Sequence, residues 1–97
     1  MPIKTILVID DSPTERHILS QMLVDVGYEV STAESGEEGI ERARQLMPDL
    51  ILMDVVMPGT NGFQATRLLS RDEATKSIPV IMCTTKSQET DKVWGLR

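Results

Sequence analysis

Two short apolar runs that each end on aspartate constrain this chain more than any other feature. Residues 6–9 are followed directly by Asp10 and Asp11, and residues 50–53 are followed directly by Asp54. A continuous apolar run of this length is typical of a parallel strand that is buried on both faces. We therefore predict two buried strands that bring three carboxylates to one edge of a sheet.

A cluster of three carboxylates has restricted chemistry. The charges repel one another unless a cation or protons neutralise them. Oxygen-only ligands of this kind are preferred by hard divalent ions such as Mg²⁺. A carboxylate held in such a cluster can also act as a nucleophile toward phosphorus. The residues alone therefore indicate a divalent cation site in which one acid is a candidate nucleophile.

The composition excludes several classes of protein. A chain of 97 residues is one domain, and its net charge of −5 argues against a general nucleic-acid or anionic-membrane binder. The single cysteine, Cys83, cannot form an internal disulfide and fits a reducing compartment. No secretory signal is visible, and no apolar run approaches the roughly 18 residues of a membrane span. We expect a cytoplasmic protein without direct nucleic-acid contact or membrane insertion.

Helical segments separate the strand-like ones. Ser12 and Glu15 predict a capping box at the start of a helix that Gly27 ends. An apolar stripe at helical spacing is predicted along it at Leu19, Met22, Leu23 and Val26. Ser35 opens a second helix with acidic residues near its positive end, and Pro48 stops it. The strands are predicted at residues 5–9, 28–33, 49–53 and 79–83, and the helices are predicted to begin after Ser12, Ser35 and Asn61 and at about Ser87.

This alternation predicts an α/β fold, a doubly wound parallel sheet with helices on both faces. Residues 28–33 alternate between apolar and polar side chains, so we place the second strand at a sheet edge. Ligands of such sheets bind beyond the carboxyl ends of the strands, near a topological switch point. Asp10, Asp11, Asp54 and Thr84 all lie at predicted carboxyl ends.

Three segments together resemble the receiver domain of two-component response regulators. They are Val-Ile-Asp-Asp-Ser at 8–12, Leu-Met-Asp-Val-Val-Met-Pro-Gly-Thr-Asn-Gly at 52–62, and Ile-Pro-Val-Ile-Met-Cys-Thr-Thr-Lys at 78–86. The resemblance covers residues 3–97 and implies a flavodoxin-like receiver fold. Within the family, residues 63–67 and 84–95 are most similar to stand-alone chemotaxis-like regulators of type IV pilus twitching motility.

The resemblance implies that Asp54 is the phosphoacceptor, which takes a phosphoryl group from a phosphohistidine on a histidine kinase. Asp11 and Asp54 would then ligate Mg²⁺ directly, and Asp10 would act largely through water. The backbone carbonyl of Val56 would be a further ligand. Phosphoryl transfer depends on such positioning and charge neutralisation more than on covalent help.

The resemblance also implies a switch. Thr84 would hydrogen-bond a phosphoryl oxygen, and the small side chain of Thr85 would leave its backbone amide available to the phosphoryl group. Gly62 would provide a backbone conformation that other residues resist. The face of the fourth helix would contact a downstream protein target.

The resemblance ends at Arg97, within the fourth helix of the family. We therefore expect a C-terminally truncated receiver domain over residues 1–97, with (βα)₄ of the usual (βα)₅. The lysine that the family carries at the end of its fifth strand has no counterpart, since neither Lys86 nor Lys92 occupies that position. We expect a greater dependence on Mg²⁺. We also expect that the chain dimerises through the exposed fourth strand, exchanges elements through it, or is only partly stable.

Two other functions stay open at this point. A phosphatase or mutase with an aspartate nucleophile needs a second acid two residues beyond it, and Val56 stands there instead. A fragment or pseudo-receiver that binds partners without phosphorylation is compatible with the absent lysine. Taken in isolation, Asp10 and Asp11 are equally well explained as a solvated turn before a capped helix.

Overall fold

The chain forms four strands that alternate with three helices. The computed structural model describes residues 3–55 and 62–83, so the predicted fourth helix lies outside the described residues. The predicted strands are confirmed to within one residue at each end. The elements are β1 (Thr5–Ile9), α1 (Pro13–Val26), β2 (Glu29–Ala33), α2 (Gly36–Leu46), β3 (Leu50–Asp54), α3 (Gly62–Arg71) and β4 (Val80–Cys83).

The sheet is parallel, and its strand order is β2-β1-β3-β4. The predicted edge position of β2 is therefore confirmed. The chain adds β2 on one side of β1 and then crosses to add β3 on the other side. This change of direction creates a topological switch point between the carboxyl ends of β1 and β3, which is where ligands of open α/β sheets bind.

Helices cover both faces of the sheet. Leu7 and Ile9 of β1 belong to a buried cluster that includes side chains of α2 and α3. Ile6 and Val8 alternate onto the opposite face, where they are also buried, and α1 contacts β1 and β2. The doubly wound prediction is therefore confirmed. The buried cluster consists of Leu7, Ile9, Ala33, Ala43, Ile51, Met53, Ala65 and Leu69.

The ends of α1 follow from its capping residues. Pro13 occupies the first turn, and the Ser12 hydroxyl accepts a hydrogen bond from the Glu15 amide at 3.3 Å. The reciprocal half of the predicted capping box was wrong, because the Ser12 amide donates to Oδ1 of Asp10 at 2.9 Å. Gly27, with a φ of 114°, closes the helix in the left-handed conformation that favours glycine.

Several apolar side chains that recur at helical spacing in α1 and α3 are exposed to solvent. Met22 is exposed, Val26 is 74% exposed, and Phe63 of α3 is 60% exposed. Met47 lies beyond the end of α2 with a left-handed φ of 48°. Periodicity shows which residues share a face, whereas burial depends on which neighbour covers that face.

Gly39 allows α2 to lie close to β1. A Cβ atom at this position would be 2.3 Å from Cδ1 and 2.8 Å from Cγ1 of Ile9. Both distances are far below van der Waals contact, and Ile9 is fully buried. The separation of α2 from the sheet therefore depends on the missing side chain.

We expect Gly39→Ala to destabilise the protein by about 1–3 kcal/mol, because an added methyl group overpacks the core. Ile9→Val removes the atom nearest to the new Cβ and by itself costs about 0.5–1.5 kcal/mol. The double variant should lose less stability than the two single losses added together. Urea unfolding of all four proteins measures this coupling, and purely additive losses would contradict it.

Asp49 joins the start of β1 to the connection between α2 and β3. Its Oδ2 atom accepts hydrogen bonds from the amides of Lys4 at 2.8 Å and Thr5 at 3.1 Å. Its own amide donates to the Thr5 hydroxyl at 3.0 Å. The hydrogen bond from the Lys4 amide, followed by that from Thr5, holds the pKa of Asp49 below its usual value of 3.8.

A carboxyl whose pKa is lowered by folding stabilises the folded state when it is ionised. This contribution is fully present above the usual pKa of 3.8 and is lost as the pH falls through the folded-state value. We therefore expect Asp49→Asn to lower the unfolding free energy at neutral pH, and the deficit to shrink in acid. Urea unfolding across a pH series tests this, with the exposed Glu29→Gln as the control. If the stability loss of Asp49→Asn were the same at every pH, the ionised carboxylate of Asp49 would not be what stabilises the fold.

Candidate functional site

Asp10, Asp11 and Asp54 lie together at the carboxyl ends of β1 and β3. One carboxylate oxygen from each residue lies within 4.8 Å of the other two. The strand register explains the arrangement, because Ile9 pairs with Met53 and the next residue of each strand is aspartate. The structure therefore gathers the three acids at the switch point, as the strand ends predict.

The cluster is largely withdrawn from water. Asp10 and Asp54 are each 1% exposed, and Asp11 is half-buried. Buried carboxylates require compensating donors or cations. Oδ1 of Asp10 accepts the amide hydrogen of Ser12 at 2.9 Å, and the Asp10 amide donates to the carbonyl of Ala33 at 3.1 Å. Asp10 is thus held both by the start of α1 and by β2.

Arg16 supports the same turn, although the sequence analysis did not identify it. Its Nη1 atom donates to the backbone carbonyl of Asp10 at 2.8 Å. The residue lies one turn into α1, close enough to reach back to the strand that precedes the helix. Its position one turn after the Ser12 cap was the one sequence signal for this contact. Arginine is so common on helix surfaces that the residue type alone does not indicate such a role.

Gly62 begins α3 directly against the backbone that carries Asp54. Its amide donates to the carbonyl of Val55 at 3.3 Å. A Cβ atom would lie 2.4 Å from the carbonyl oxygen of Asp54 and 2.7 Å from Cα of Val55. The expected special conformation was wrong, because among the described glycines only Gly27 has a positive φ. Gly62 is required here by lack of space.

The remaining predicted site residues are Val56, Thr84 and Thr85, and they lie outside the described residues. Their roles stay predictions. Within residues 3–55 and 62–83, the three aspartates form the one group of metal-ligating side chains large enough to hold an ion. Over the same residues, no helix combines the length and apolar character needed to cross a bilayer.

The donor set fits a hard divalent cation. All three side chains offer carboxylate oxygens, which Mg²⁺ prefers over nitrogen or sulfur ligands. A cation among them would offset the repulsion between neighbouring negative charges. Since Asp11 is half-buried, the cluster is also accessible from solvent.

Comparison with known proteins is consistent with this geometry. The response regulator receiver domain family matches residues 6–97. Protein PilH of Pseudomonas aeruginosa is 60% identical over 92 residues, which cover 95% of this chain and 76% of PilH. Other curated relatives are longer, and the chain spans 20% to 41% of their length.

Solved structures show the same architecture. The chemotaxis protein CheY4 of Vibrio cholerae superposes with a TM-score of 0.81 at 34% identity, over 98% of this chain and 79% of CheY4. The receiver domain of the sensor histidine kinase PA1611 from Pseudomonas aeruginosa has a TM-score of 0.80 at 28% identity, over 95% of this chain and 75% of that one. The latter structure contains a magnesium ion coordinated in its active-site cleft. The sequence match and the shared fold together establish that this chain belongs to the response regulator receiver domain family.

Proposed function

We propose that this receiver accepts a phosphoryl group on Asp54 and thereby changes its contacts with other proteins. The observation that carries the proposal is the cluster of three carboxylates within 4.8 Å at the switch point. Asp54 is the one of the three that ends β3, and it is buried. A receiver of similar fold that holds magnesium in its cleft supports the same use of the site.

The proposed reaction is a nucleophilic displacement at phosphorus. A carboxylate oxygen of Asp54 forms a bond to the phosphorus of a phosphohistidine on a histidine kinase. The bond between phosphorus and nitrogen breaks, and the histidine leaves with the electron pair. The product is an acyl phosphate on Asp54. Catalysis of such transfers depends mainly on positioning and charge stabilisation.

The chain supplies the positioning through the turn between β1 and α1. The Ser12 amide and the Arg16 side chain both donate to Asp10, one to its carboxylate and one to its carbonyl. Asp10, Asp11 and Asp54 would hold Mg²⁺, with the carbonyl of Val56 proposed as a further ligand. A divalent cation bound there neutralises charge on the phosphoryl oxygens.

Signalling would follow from a shift between two conformations. Thr84 and Thr85 are proposed to contact the phosphoryl group, and the face of the fourth helix is proposed to contact a downstream protein. A phosphoryl group would favour one of two pre-existing states, so the domain acts by protein contact rather than by turnover. The 60% identity to PilH supports a role in cytoplasmic, chemotaxis-like signalling that controls twitching motility.

Self-association through β4 remains part of the proposal. In the described sheet β4 pairs with β3 along one side and is an edge strand. Its residues Ile81 and Met82 are exposed. An exposed apolar edge strand is a common surface for pairing with another chain.

Phosphorylation of Asp54 can be tested directly with acetyl phosphate and Mg²⁺. We expect the native chain to gain one phosphoryl group by intact-mass spectrometry, and Asp54→Asn to gain none. Asp11→Asn should require more Mg²⁺ for the same yield, because it removes one cation ligand. Asp25→Asn, which removes an exposed carboxylate on α1, is the control and should react like the native chain. Equal modification of the native chain and Asp54→Asn would reject the assignment.

Gly62→Ala tests whether α3 positions the phosphoacceptor. The added Cβ must displace the backbone of Asp54 and Val55, so we expect slower phosphorylation by acetyl phosphate together with a stability loss of about 1–3 kcal/mol. Gly39→Ala is the matched control, because its added Cβ meets the Ile9 side chain instead. If both variants slow phosphorylation equally under conditions where both are folded, Gly62 has no special positioning role.

A further inference from the structure

A small cavity between α1 and the edge strand β2, open to solvent, is not used by the proposed reaction. Its volume is about 250 Å³, and no carboxylate lines it. Four of the five lining side chains can donate hydrogen bonds through N–H or O–H groups. The lining residues are Pro13, Arg16, His17, Ser20 and Thr32.

One lining residue, Ser20, has a hydroxyl without a hydrogen-bond partner. It lies one turn beyond Arg16 on the same side of α1, and Thr32 of β2 lines the same cavity. The Ser20 hydroxyl is buried and has no hydrogen-bond partner. A buried hydroxyl in this state is unfavourable until an acceptor reaches it. Rotation of the Ser20 side chain about its Cα–Cβ bond would bring this hydroxyl to an acceptor bound in the cavity.

Arg16 adds an oriented positive charge. One of its N–H groups is fixed on the carbonyl of Asp10 at 2.8 Å. The guanidinium carries five donors in a planar fork that matches carboxylate and phosphate oxygens. Glu38 is near enough to interact electrostatically with Arg16, but its carboxylate is already engaged by the Glu34 amide and by Arg42. The lining of the cavity thus combines a fixed cation with neutral donors.

We propose that this cavity binds a small oxyanion, a carboxylate or a phosphate. The oxyanion could be a free ion or the acidic side chain of a docked protein, since both present the same oxygens to Arg16 and Ser20. The volume accommodates either group. This binding does not depend on phosphorylation of Asp54.

Occupancy of the cavity is coupled to the acidic cluster through a single residue. Arg16 lines the cavity and also donates to the carbonyl of Asp10. An oxyanion that draws the guanidinium toward itself weakens this hydrogen bond. The position of the Asp10 backbone, and therefore of its carboxylate, then changes. Because coupling between sites is reciprocal, a cation at the cluster would change the oxyanion affinity by the same factor. This coupling rests on the proposed cation site, whereas oxyanion binding does not.

Binding can be measured by titrating ¹⁵N-labelled protein with sodium acetate or inorganic phosphate, against sodium chloride at equal ionic strength. We expect saturable shifts of the Ser20 and Thr32 amides and of the Arg16 side chain with the oxyanions and not with chloride. Arg16→Gln should weaken binding at least tenfold, and Ser20→Ala severalfold. Arg71→Gln removes an exposed arginine on α3 and is the matched control, which should bind like the native chain.

Two further probes identify the source of the oxyanion. Tighter binding of a capped glutamate than of inorganic phosphate assigns the cavity to an acidic side chain, and the reverse order assigns it to a free ion. Either order supports an oxyanion site. Shifts that do not saturate, or that persist unchanged in both Arg16→Gln and Ser20→Ala, overturn it.

The coupling is read from Mg²⁺ titrations of the same protein with and without saturating acetate. We expect at least a twofold change in the Mg²⁺ dissociation constant in the native chain and none in Arg16→Gln, which removes the residue common to both sites and also controls for Mg²⁺ bound by acetate itself. An equal dissociation constant with and without acetate in the native chain overturns the coupling. Failure to bind Mg²⁺ at all rejects the cation site and the coupling, while the acetate titration still decides oxyanion binding.

Discussion

The candidate site depends on a core that keeps two buried carboxylates side by side. Asp10 and Asp54 end neighbouring parallel strands and are almost fully withdrawn from solvent. Burying such charges is unfavourable, and their proximity adds repulsion. The opposing contribution comes from the apolar residues that precede them, because both faces of β1 are buried under helices. The hydrophobic core therefore holds an arrangement of charge that the acids alone would not adopt.

The groups that terminate and start the helices also hold these acids in place. The Ser12 amide donates to the carboxylate of Asp10, and Arg16 donates to its carbonyl. Gly62 brings α3 within contact of the Asp54 backbone. These restraints act mainly through backbone atoms behind the acids. The carboxylate oxygens themselves converge on a common space, as binding a hard cation requires.

Much of this could be predicted from local sequence patterns. Apolar runs located the strands, serine and glycine located the ends of α1, and alternation in residues 28–33 placed β2 at the edge. The errors concern interactions between elements. Val26 lies on an apolar stripe and yet is exposed, because periodicity does not show which neighbour covers a face. Gly62 was assigned an unusual conformation when it is close packing that requires it, and Arg16 was missed because its partner is a backbone carbonyl.

The turn between β1 and α1 therefore has two polar surfaces of opposite character. On one side Asp10 and Asp11 belong to the proposed cation site, and on the other Arg16 and Ser20 line the proposed oxyanion site. The guanidinium of Arg16 lines the oxyanion cavity and also donates a hydrogen bond to the backbone carbonyl of Asp10. Coupling over so short a path needs no long chain of side-chain rearrangements, since one hydrogen bond is common to both sites. A partner that places an acidic group beside α1 would then influence the acids through the turn that holds them.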